Sequence, residues 1–529
     1  MLKGVFATHA SCTIALAFVS TMASDGANLA HAVGGVNGHT KTDRDAVYVY
    51  SFENKIIHQF NDAYDWGYWC GVKQPLGAYK NGLSIHLINK PFEPLEKLAN
   101  PDHIFWVNEV NGTYGISTYA TGQDAGWYKH PGGMVTFGED GTIWCNLGGR
   151  ANELALDVYR SDSPYDVENF TLVVNDYETW NTSTTPCVIV DGNKLVILWR
   201  HGWTGSPDTT VRMRRYDLNA GFDEYEVELD IGKGAEDPEY GQIGFEQYWV
   251  RYDPRYHYMF ASWCWWDHPE RFGANPFVYS DDLGDTWRTA DGLAIPDLPV
   301  DFTDRTDVLI PYNHFEFYEQ AEWNVRDLGV APNGTFWTII PTGNGTLNDG
   351  WKALFWRFSG GEWESRDLTG KMEGQAKPHA VGVTRDFVVF LYSEWNARHQ
   401  LKARVSADDG YTWSDPILLD EIPDDSIPWI SFVQPADGYP DNTARFFYSH
   451  YQQSHGWPGK RWQNNIRWIK FDIVQTLFAD LNGDGKVDID DLFQILGAWG
   501  LCEDCPEDLN DDGIVNIEDL FLVLEHWTI

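Results

Sequence analysis

The feature that most constrains the fold of this chain is a long succession of short apolar segments separated by tight-turn dipeptides. Short apolar or alternating runs recur between positions 45 and 473, for example at 46–50, 195–199 and 335–340. Asn-Gly, Asp-Gly and Gly-Gly pairs separate them, as at 191–192. These dipeptides supply the positive φ that short hairpins need, and no amphipathic helical stretch of useful length interrupts the pattern. The pattern therefore predicts an all-β fold built from antiparallel hairpins.

The spacing of comparable strands indicates how the hairpins are grouped. Strands of similar character recur about every 45 to 65 residues, an interval that four short strands and their turns would fill. Residues 45–473 are therefore predicted to form a β-propeller of seven blades, with six blades as the alternative. The 26 tryptophans suit the packing between such sheets, and an exposed tryptophan could also stack on a sugar.

Two segments, 280–287 and 406–413, share the pattern Ser-x-Asp-x-Gly-x-Thr-Trp. In a hairpin turn of this composition the serine and aspartate side chains can bond to the backbone. The glycine takes a positive φ, and the tryptophan packs between sheets. We expect both segments to form the same turn on the outer edge of the fold and to have no catalytic role.

This pattern resembles the Asp-box of BNR-repeat β-propellers, and other segments resemble the secreted polysaccharide lyases of that group, those similar to ulvan lyases. The resemblance covers most of residues 45–470 and is specific in a few segments. These segments are 66–79, 129–131 with 134–144, 159–166, 248–252 and 266–269. The resemblance implies a carbohydrate-active enzyme that cleaves an acidic, uronate-containing polysaccharide by β-elimination.

A lyase of this kind has to neutralise the substrate carboxylate, remove the proton at C5 and protonate the leaving oxygen. Arginine suits the first task because its planar guanidinium pairs with a carboxylate. Histidine or tyrosine can perform the other two. The candidate catalytic residues are His130, His201, Tyr248, Arg251 and His268. The candidate substrate-binding residues are Arg150, Trp203 and Trp266.

One position departs from the pattern of that group. Its second active-site histidine would fall near residues 147–150, where this chain has Leu-Gly-Gly-Arg. Either Arg150 has a binding role there, or the chemistry is different or absent. His201, at the end of the next inner strand, could substitute for the missing histidine. In a propeller the ends of successive strands meet at one axial face, so the candidates would lie together.

Two other functions stay open. The missing histidine fits a non-catalytic propeller that binds carbohydrate. A sialidase-like glycoside hydrolase would also carry Asp-boxes, but that activity needs an arginine triad and an Arg-Ile-Pro segment. No Arg-Ile-Pro occurs in the chain, which makes the hydrolase the weaker alternative.

The C-terminal region carries two twelve-residue loops, offset by 28 positions, whose oxygen-bearing residues have the spacing of a calcium loop. The ligands of the first are Asp480, Asn482, Asp484, Lys486, Asp488 and Asp491. The ligands of the second are Asp508, Asn510, Asp512, Ile514, Asn516 and Asp519. Because Ca²⁺ takes six to eight oxygens, only a convergent loop can supply so many from one short stretch. The spacing predicts two bound Ca²⁺ ions, with Lys486 and Ile514 each offering a carbonyl.

An apolar, helix-like run and then a tryptophan follow each loop, and position twelve is Asp rather than Glu. In these respects residues 478–529 resemble a type I dockerin, a small α-helical, EF-hand-like calcium domain that binds a cohesin. The resemblance implies a cohesin-like or other scaffold or surface partner. Cys502 and Cys505 lie in an insert outside the common pattern, and we expect them to form a local disulfide or to stay as free thiols.

The N-terminus has the pattern of a secretory signal. Lys3 precedes a mostly apolar stretch at 12–22 that is too short to cross a bilayer, and small-residue cleavage sites follow near positions 23 and 32. We therefore expect residues 1–32 to be a signal peptide and the protein to be secreted or attached to a cell surface, with no membrane span.

Charge and cysteine content add two expectations. The formal net charge is −40, with no basic stripe to neutralise phosphates, which argues against a nucleic-acid partner. Export permits disulfides, but sequence does not decide their connectivity. The cysteines whose partners stay open in the large region are Cys70, Cys145, Cys187 and Cys264.

Overall fold

A computed structural model of the chain describes residues 47–63, 77–89, 102–120, 134–147, 156–176, 184–202, 208–237, 241–267, 275–301, 308–310, 327–342, 352–368, 375–395, 399–422, 426–452, 462–475, 477–482, 486–502, 505–510 and 512–527. Within these residues the fold is nearly all-β, as predicted, and two short helices lie near the C-terminus.

Most of the strands form antiparallel units of four. The first three units are β2 (Gly77–Lys80), β3 (Leu83–Asn89), β4 (Asp102–Asn108) and β5 (Thr113–Ala120); β6 (Val135–Phe137), β7 (Ile143–Leu147), β8 (Leu156–Ser161) and β9 (Phe170–Asp176); and β10 (Thr184–Asp191), β11 (Lys194–His201), β12 (Thr210–Asp217) and β13 (Val227–Lys233).

The next three units follow the same order along the chain. They are β14 (Ala235–Asp237), β15 (Gly241–Asp253), β16 (Tyr258–Asp267) and β17 (Val278–Ser280); β18 (Asp327–Val330), β19 (Phe336–Thr342), β20 (Lys352–Ser359) and β21 (Glu362–Asp367); and β22 (Gln375–Val383), β23 (Val388–Trp395), β24 (His399–Ser406) and β25 (Ile417–Ile422).

The last unit is made from both ends of the large region. It consists of β26 (Ser426–Pro435), β27 (Thr443–Gln452), β28 (Trp462–Gln475) and β1 (Val47–Ala63). β1 pairs antiparallel with β28, from Val47 opposite Gln475 to Ala63 opposite Trp462. Because this pairing joins strands more than 400 positions apart, it ties the start of the region to its end.

Neighbouring units lie side by side around a common axis. β2 contacts β6, β6 contacts β10, β15 contacts β18, β18 contacts β22, and β22 contacts β26. β26 in turn pairs in parallel with β2, which joins the last unit to the first in one eight-stranded sheet. Buried aromatic side chains fill the space between the sheets, among them Trp199, Trp263, Trp337 and Trp468. The arrangement is compatible with a β-propeller.

The two Ser-x-Asp-x-Gly-x-Thr-Trp segments form the same turn, as predicted. In the first, Gly284 N donates to Ser280 Oγ and Thr286 N donates to Asp282 Oδ1, both at 2.8 Å. The second turn repeats these bonds at 2.8 and 2.7 Å. The glycine φ is +96° in the first turn and +89° in the second, a conformation that disfavours a side chain. The first turn begins at the end of β17, and the second begins at the end of β24.

The C-terminal residues form a small helical unit with its own core. It contains α1 (Ile489–Gly497), β29 (Gly500–Leu501), β30 (Ile514–Val515) and α2 (Ile517–Glu525). Its buried apolar residues are Ala479, Val487, Ile495, Val515 and Val523. Cys502 and Cys505 form a disulfide, so the local staple is the alternative that the structure contains. In the large region Cys145 and Cys187 are buried.

In the part of the chain that the structure describes, no helix combines the length and apolar character needed to cross a membrane.

Candidate functional site

The two ends of each four-stranded unit differ in how the chain connects the strands there. In the unit β10–β13 a tight turn at Gly192, with φ +54°, joins β10 to β11. At the opposite end His201 pairs with Thr210, and Thr210 pairs with Lys233. We call these the hairpin end and the loop end. The candidate residues are predicted from the sequence to meet at the loop end.

His201 is the candidate whose side chain can be examined at this end. It is the last residue of β11 and is partly buried. Burial lowers the pKa of His201, the nearby Arg212 guanidinium lowers it further, and Asp230 and Glu228 oppose the shift. Arg212 is held by two bonds to Asp230, at 2.7 and 3.1 Å. The imidazole is therefore neutral near neutral pH, the state in which it can accept a proton.

Arg251 lies elsewhere, and its expected contact with a substrate carboxylate does not fit its surroundings. Its side chain is 1% exposed. Nη1 donates to Asp327 Oδ1 at 3.1 Å and to the Val381 carbonyl at 3.0 Å, and the guanidinium lies 5.0 Å from the centre of the Trp337 ring. Arg251 therefore joins β15, β18 and β22 in the interior, and the structure corrects its assignment as a catalytic residue to a structural one.

Asp327, the partner of Arg251, is fully buried as well. Burial raises the pKa of Asp327 to about 6, while Arg251 and the backbone N–H groups of Val381 and Leu328 oppose that shift. The pair is a polar contact inside an apolar region, close to the axis around which the units are arranged.

The remaining candidates divide into two groups. Tyr248 lies in the middle of β15, opposite Trp263, and Trp266 lies on β16 opposite Gly244, toward the loop end. The candidates that lie outside the described residues are His130, Arg150, Trp203 and His268.

A small, partly open cavity of about 30 Å³ lies near the axis around which the units are arranged. Residues of β2, β6, β10, β15 and β26 line it, and most of them are apolar. Gln434 is a polar exception: its Nε2 donates to the Tyr252 carbonyl, and its buried Oε1 has no hydrogen-bond partner. A hydrogen-bond donor in the cavity, water included, would satisfy that oxygen.

A polar cluster adjoins this cavity at the hairpin end. The Tyr252 hydroxyl lies 3.1 Å from His257 Nδ1, which lies 2.9 Å from Asp191 Oδ2. Burial, followed by the charge of Asp191, raises the pKa of Tyr252, so the phenol stays protonated. In the sequence, Asp191 is recognisable only as the first residue of an Asp-Gly turn. The sequence carries no signal for this cluster, because Asp191 belongs to a different unit from Tyr252 and His257.

The second C-terminal loop is folded around its acidic side chains. Asp519, at position twelve, accepts bonds from Leu509 N at 2.8 Å and Asn510 N at 3.2 Å. Asp508, at position one, accepts from Gly513 N at 2.8 Å. In the first loop Asp491 accepts the equivalent bonds, at 2.8 and 3.1 Å. The carboxylate at position twelve therefore accepts the same two backbone bonds in both loops.

Side chains at positions three, five and nine of the second loop converge. The amides of Asn510 and Asn516 lie 3.3 and 3.4 Å from Asp512 Oδ2. No cluster of three or more His, Cys, Asp or Glu side chains suited to a metal ion occurs among the described residues. The donors that converge here include two amides and the Ile514 carbonyl, oxygen groups of the kind that Ca²⁺ prefers. The donor set therefore fits calcium better than a transition metal.

The two helices of this unit expose apolar side chains in duplicate. The exposed residues are Ile489, Phe493, Leu496 and Trp499 on one repeat, and Ile517, Phe521, Leu524 and Trp527 on the other. Phe493 and Phe521 are each 59% exposed. Because each residue has its counterpart 28 positions later, the unit presents two similar apolar faces to solvent.

Comparison with known proteins concerns the large region. No family model and no curated protein matches the chain. An ulvan lyase of polysaccharide lyase family PL25, bound to -[GlcA(1-4)Rha3S]-, is similar with a TM-score of 0.54 and 15% identity, over 74% of this chain and 93% of the other. A second structure of a PL25 ulvan lyase gives 0.54 and 14% over the same shares. At these identities the likeness shows a common fold.

Proposed function

We propose that the chain is a secreted polysaccharide lyase that cleaves an acidic glycan by β-elimination, at the loop end of a seven-bladed β-propeller. The seven four-stranded units support the blade number. The fold shared with ulvan lyases, one of them bound to a uronate-containing sugar, supports the substrate class. The observation that carries the proposal is His201, a histidine kept neutral by burial at the loop end.

The proposed chemistry assigns each step to a residue. His201 or His130 removes the proton at C5, and the electrons form the C4–C5 double bond as the C4–O bond breaks. Tyr248 or His268 protonates the leaving oxygen. Arg150 neutralises the carboxylate, which stabilises the negative charge that develops next to it. Trp203 and Trp266 stack on neighbouring sugar rings.

The test is turnover of a panel of uronate polysaccharides, followed through the ultraviolet absorbance of the unsaturated product. We expect a signal with at least one of them, and we expect its loss in His201→Ala and in His130→Ala. His526→Ala, in the C-terminal unit, is the matched control and should keep full activity. If no polysaccharide gives product but the same polysaccharides retard the protein in an affinity gel, the chain is a non-catalytic carbohydrate-binding propeller.

We further propose that residues 478–529 are a dockerin-like domain that holds two Ca²⁺ ions and binds a cohesin-like partner. The first ion would draw on Asp480, Asn482, Asp484, Lys486, Asp488 and Asp491, and the second on Asp508, Asn510, Asp512, Ile514, Asn516 and Asp519. Calcium would hold the two loops in shape and thereby fix the orientation of the two apolar faces.

A type I cohesin immobilised on a sensor tests this second proposal. We expect calcium-dependent binding that is lost with EDTA and weakened in Phe493→Ala together with Phe521→Ala. Absence of binding in calcium would remove the cohesin but leave the lyase proposal untouched, because turnover of a soluble polysaccharide does not need a scaffold.

A further inference from the structure

The two Ser-x-Asp-x-Gly-x-Thr-Trp turns differ in the side chain that they present to the preceding unit. A Cβ added at Gly284 would collide with Met213, and one added at Gly410 would collide with Phe355. Met213 lies on β12 and Phe355 on β20, each the third strand of the preceding unit. Two positions further along these strands stand Arg215 and Arg357, which are therefore structural counterparts.

In the first turn the arginine is fully paired. Arg215 Nη2 lies 2.9 Å from Asp285 Oδ1, Nε lies 3.2 Å from Glu226 Oε2, and Nη1 donates to the Leu283 carbonyl at 3.2 Å. Asp285 is the residue that follows the glycine of the turn. Its carboxylate supplies a counter-charge across the boundary between two units.

In the second turn the same position is Tyr411, and the arginine lacks this counter-charge. Arg357 is 8% exposed, and its Nε and Nη1 are buried with no hydrogen-bond partner. Its guanidinium lies 4.8 Å from the centre of the Tyr411 ring. Asp409 is a nearby carboxyl, but it accepts from Asn333 N at 3.2 Å, and burial raises its pKa. A buried cation is thus left without a paired anion.

A second arginine adjoins the same ring. Arg366, on β21, lies 5.1 Å from the centre of Tyr411 and is 40% exposed. Its ion pair with Glu364, at 3.7 Å, is too long for a hydrogen bond and joins two exposed groups, so it is weak. Tyr411 itself is 53% exposed. A half-exposed aromatic ring therefore has two arginines close to it, one of which is reachable from solvent.

We propose that Tyr411, Arg357 and Arg366 form a second binding site, remote from the loop end, for a saccharide that carries a carboxylate or sulfate. The sugar ring stacks on Tyr411, and its anionic group pairs with Arg366 where Asp285 pairs with Arg215 in the other turn. Arg357, buried beside the ring, adds positive potential in a region of low dielectric. Only the choice of an acidic polysaccharide as ligand rests on the proposed function.

The proposed second site lies at the hairpin end, away from the proposed active site. Val388 pairs with Ser406 at the hairpin end of its unit, whereas Trp395 pairs with His399 at the loop end. The turn that carries Tyr411 follows Ser406 and so lies at the hairpin end. A glycan bound there does not occupy the proposed active site. The site would hold a long polymer to the protein while a different stretch of the polymer is cleaved.

Binding is measured on His201→Ala protein, so that turnover does not consume the ligand. The probes are GlcA(1-4)Rha3S oligosaccharides, their desulfated form and neutral dextran. We expect Tyr411→Ala and Arg366→Gln each to weaken binding of the sulfated probe at one of two sites by about tenfold. Tyr225→Ala is the matched control: its exposed ring also lies over an arginine, Arg214, but Glu228 already pairs with that arginine. It should bind as the parent does.

The reciprocal variant is Tyr411→Asp, which restores the residue type of the first turn. We expect it to raise the melting temperature, because Arg357 gains its carboxylate, and to abolish binding at this site. The proposal is overturned if both variants at Tyr411 bind like the parent, or if dextran binds as well as the sulfated probe. Loss of binding in Tyr411→Ala with no turnover of any substrate would refute the lyase and keep this site.

Discussion

At the scale of single residues, the large region is held together by charged groups that are buried in pairs. Arg251 and Asp327 connect three consecutive units, and both are at most 1% exposed. Removing two charges from water is expensive, and the cost is met only while each partner compensates the other. The two single variants and the double variant should therefore differ sharply.

We expect Arg251→Met to lower the free energy of unfolding by about 3–5 kcal/mol, because Asp327 would be left buried and unpaired. The double variant Arg251→Met, Asp327→Leu should recover most of that loss. Chemical denaturation of the three proteins measures both effects. If Arg251 contacts substrate after all, the double variant will be stable but inactive, whereas a structural role predicts that activity per folded molecule persists.

His201 gives a prediction for the pH dependence of turnover. Its pKa is lowered from the ordinary value of 6.5, chiefly by burial. A base with a lowered pKa stays unprotonated as the pH falls through 6.5, so we expect the acidic limb of kcat/KM to lie below 6.5. His201→Ala protein with residual activity should lose that limb. An acidic limb above 6.5 would exclude His201 as the base.

At the scale of elements, the Ser-x-Asp-x-Gly-x-Thr-Trp turns limit how closely adjacent units approach. Gly410 faces Phe355 of the preceding unit so closely that no Cβ fits. Gly361 has a similar φ, +87° against +89°, but no atom lies within 4 Å of the position that its Cβ would occupy. The two glycines therefore separate the cost of the backbone conformation from the cost of packing.

We expect Gly361→Ala to lose about 1–2 kcal/mol of unfolding free energy, which is the cost of the left-handed conformation. Gly410→Ala should lose this amount and about 1–3 kcal/mol more, because Phe355 has to move. Thermal unfolding of both variants beside the parent protein measures the difference. Equal losses would mean that the units do not pack as closely at this turn as the structure indicates.

At the scale of the whole molecule, the large region and the C-terminal unit have separate cores. In the described part of the large region the four-stranded units follow one another around one axis, with β1 and β28 paired between its two ends. The C-terminal unit has five buried apolar residues of its own. Ligands that bind only the folded form of one unit should stabilise that unit and leave the other unchanged.

Calorimetry with and without EDTA tests this separation. We expect calcium at a hundredfold excess over its Kd to stabilise the smaller transition by about 2.7 kcal/mol and to leave the larger one in place. Asp480→Ala with Asp508→Ala should abolish the calcium effect. Glu525→Ala, an acidic residue outside both loops, is the control and should behave as the parent. A calcium effect on both transitions would mean that the two bodies unfold together.

The sequence by itself determined those features that depend on neighbours along the chain. Hairpin turns need glycine at a positive φ, so the two Ser-x-Asp-x-Gly-x-Thr-Trp turns could be predicted in detail. The repeated spacing of strands predicted an all-β fold, and the twelve-residue loops predicted the shared geometry around Asp491 and Asp519. The same local reasoning selected His201 as a residue at a strand end.

Only the tertiary structure decided what depends on contacts between units. Arg251 has the residue type of a carboxylate ligand, yet the packing of three strands around it makes it structural. The cluster of Asp191, Tyr252 and His257 exists because a turn of one unit reaches another. The second turn has Tyr411 where the first turn has Asp285. The effect of this difference depends on Arg357, which lies more than fifty positions away in the sequence. Side-chain contacts between units leave no signal in the local sequence, because they form only when the whole region folds and brings distant strands together.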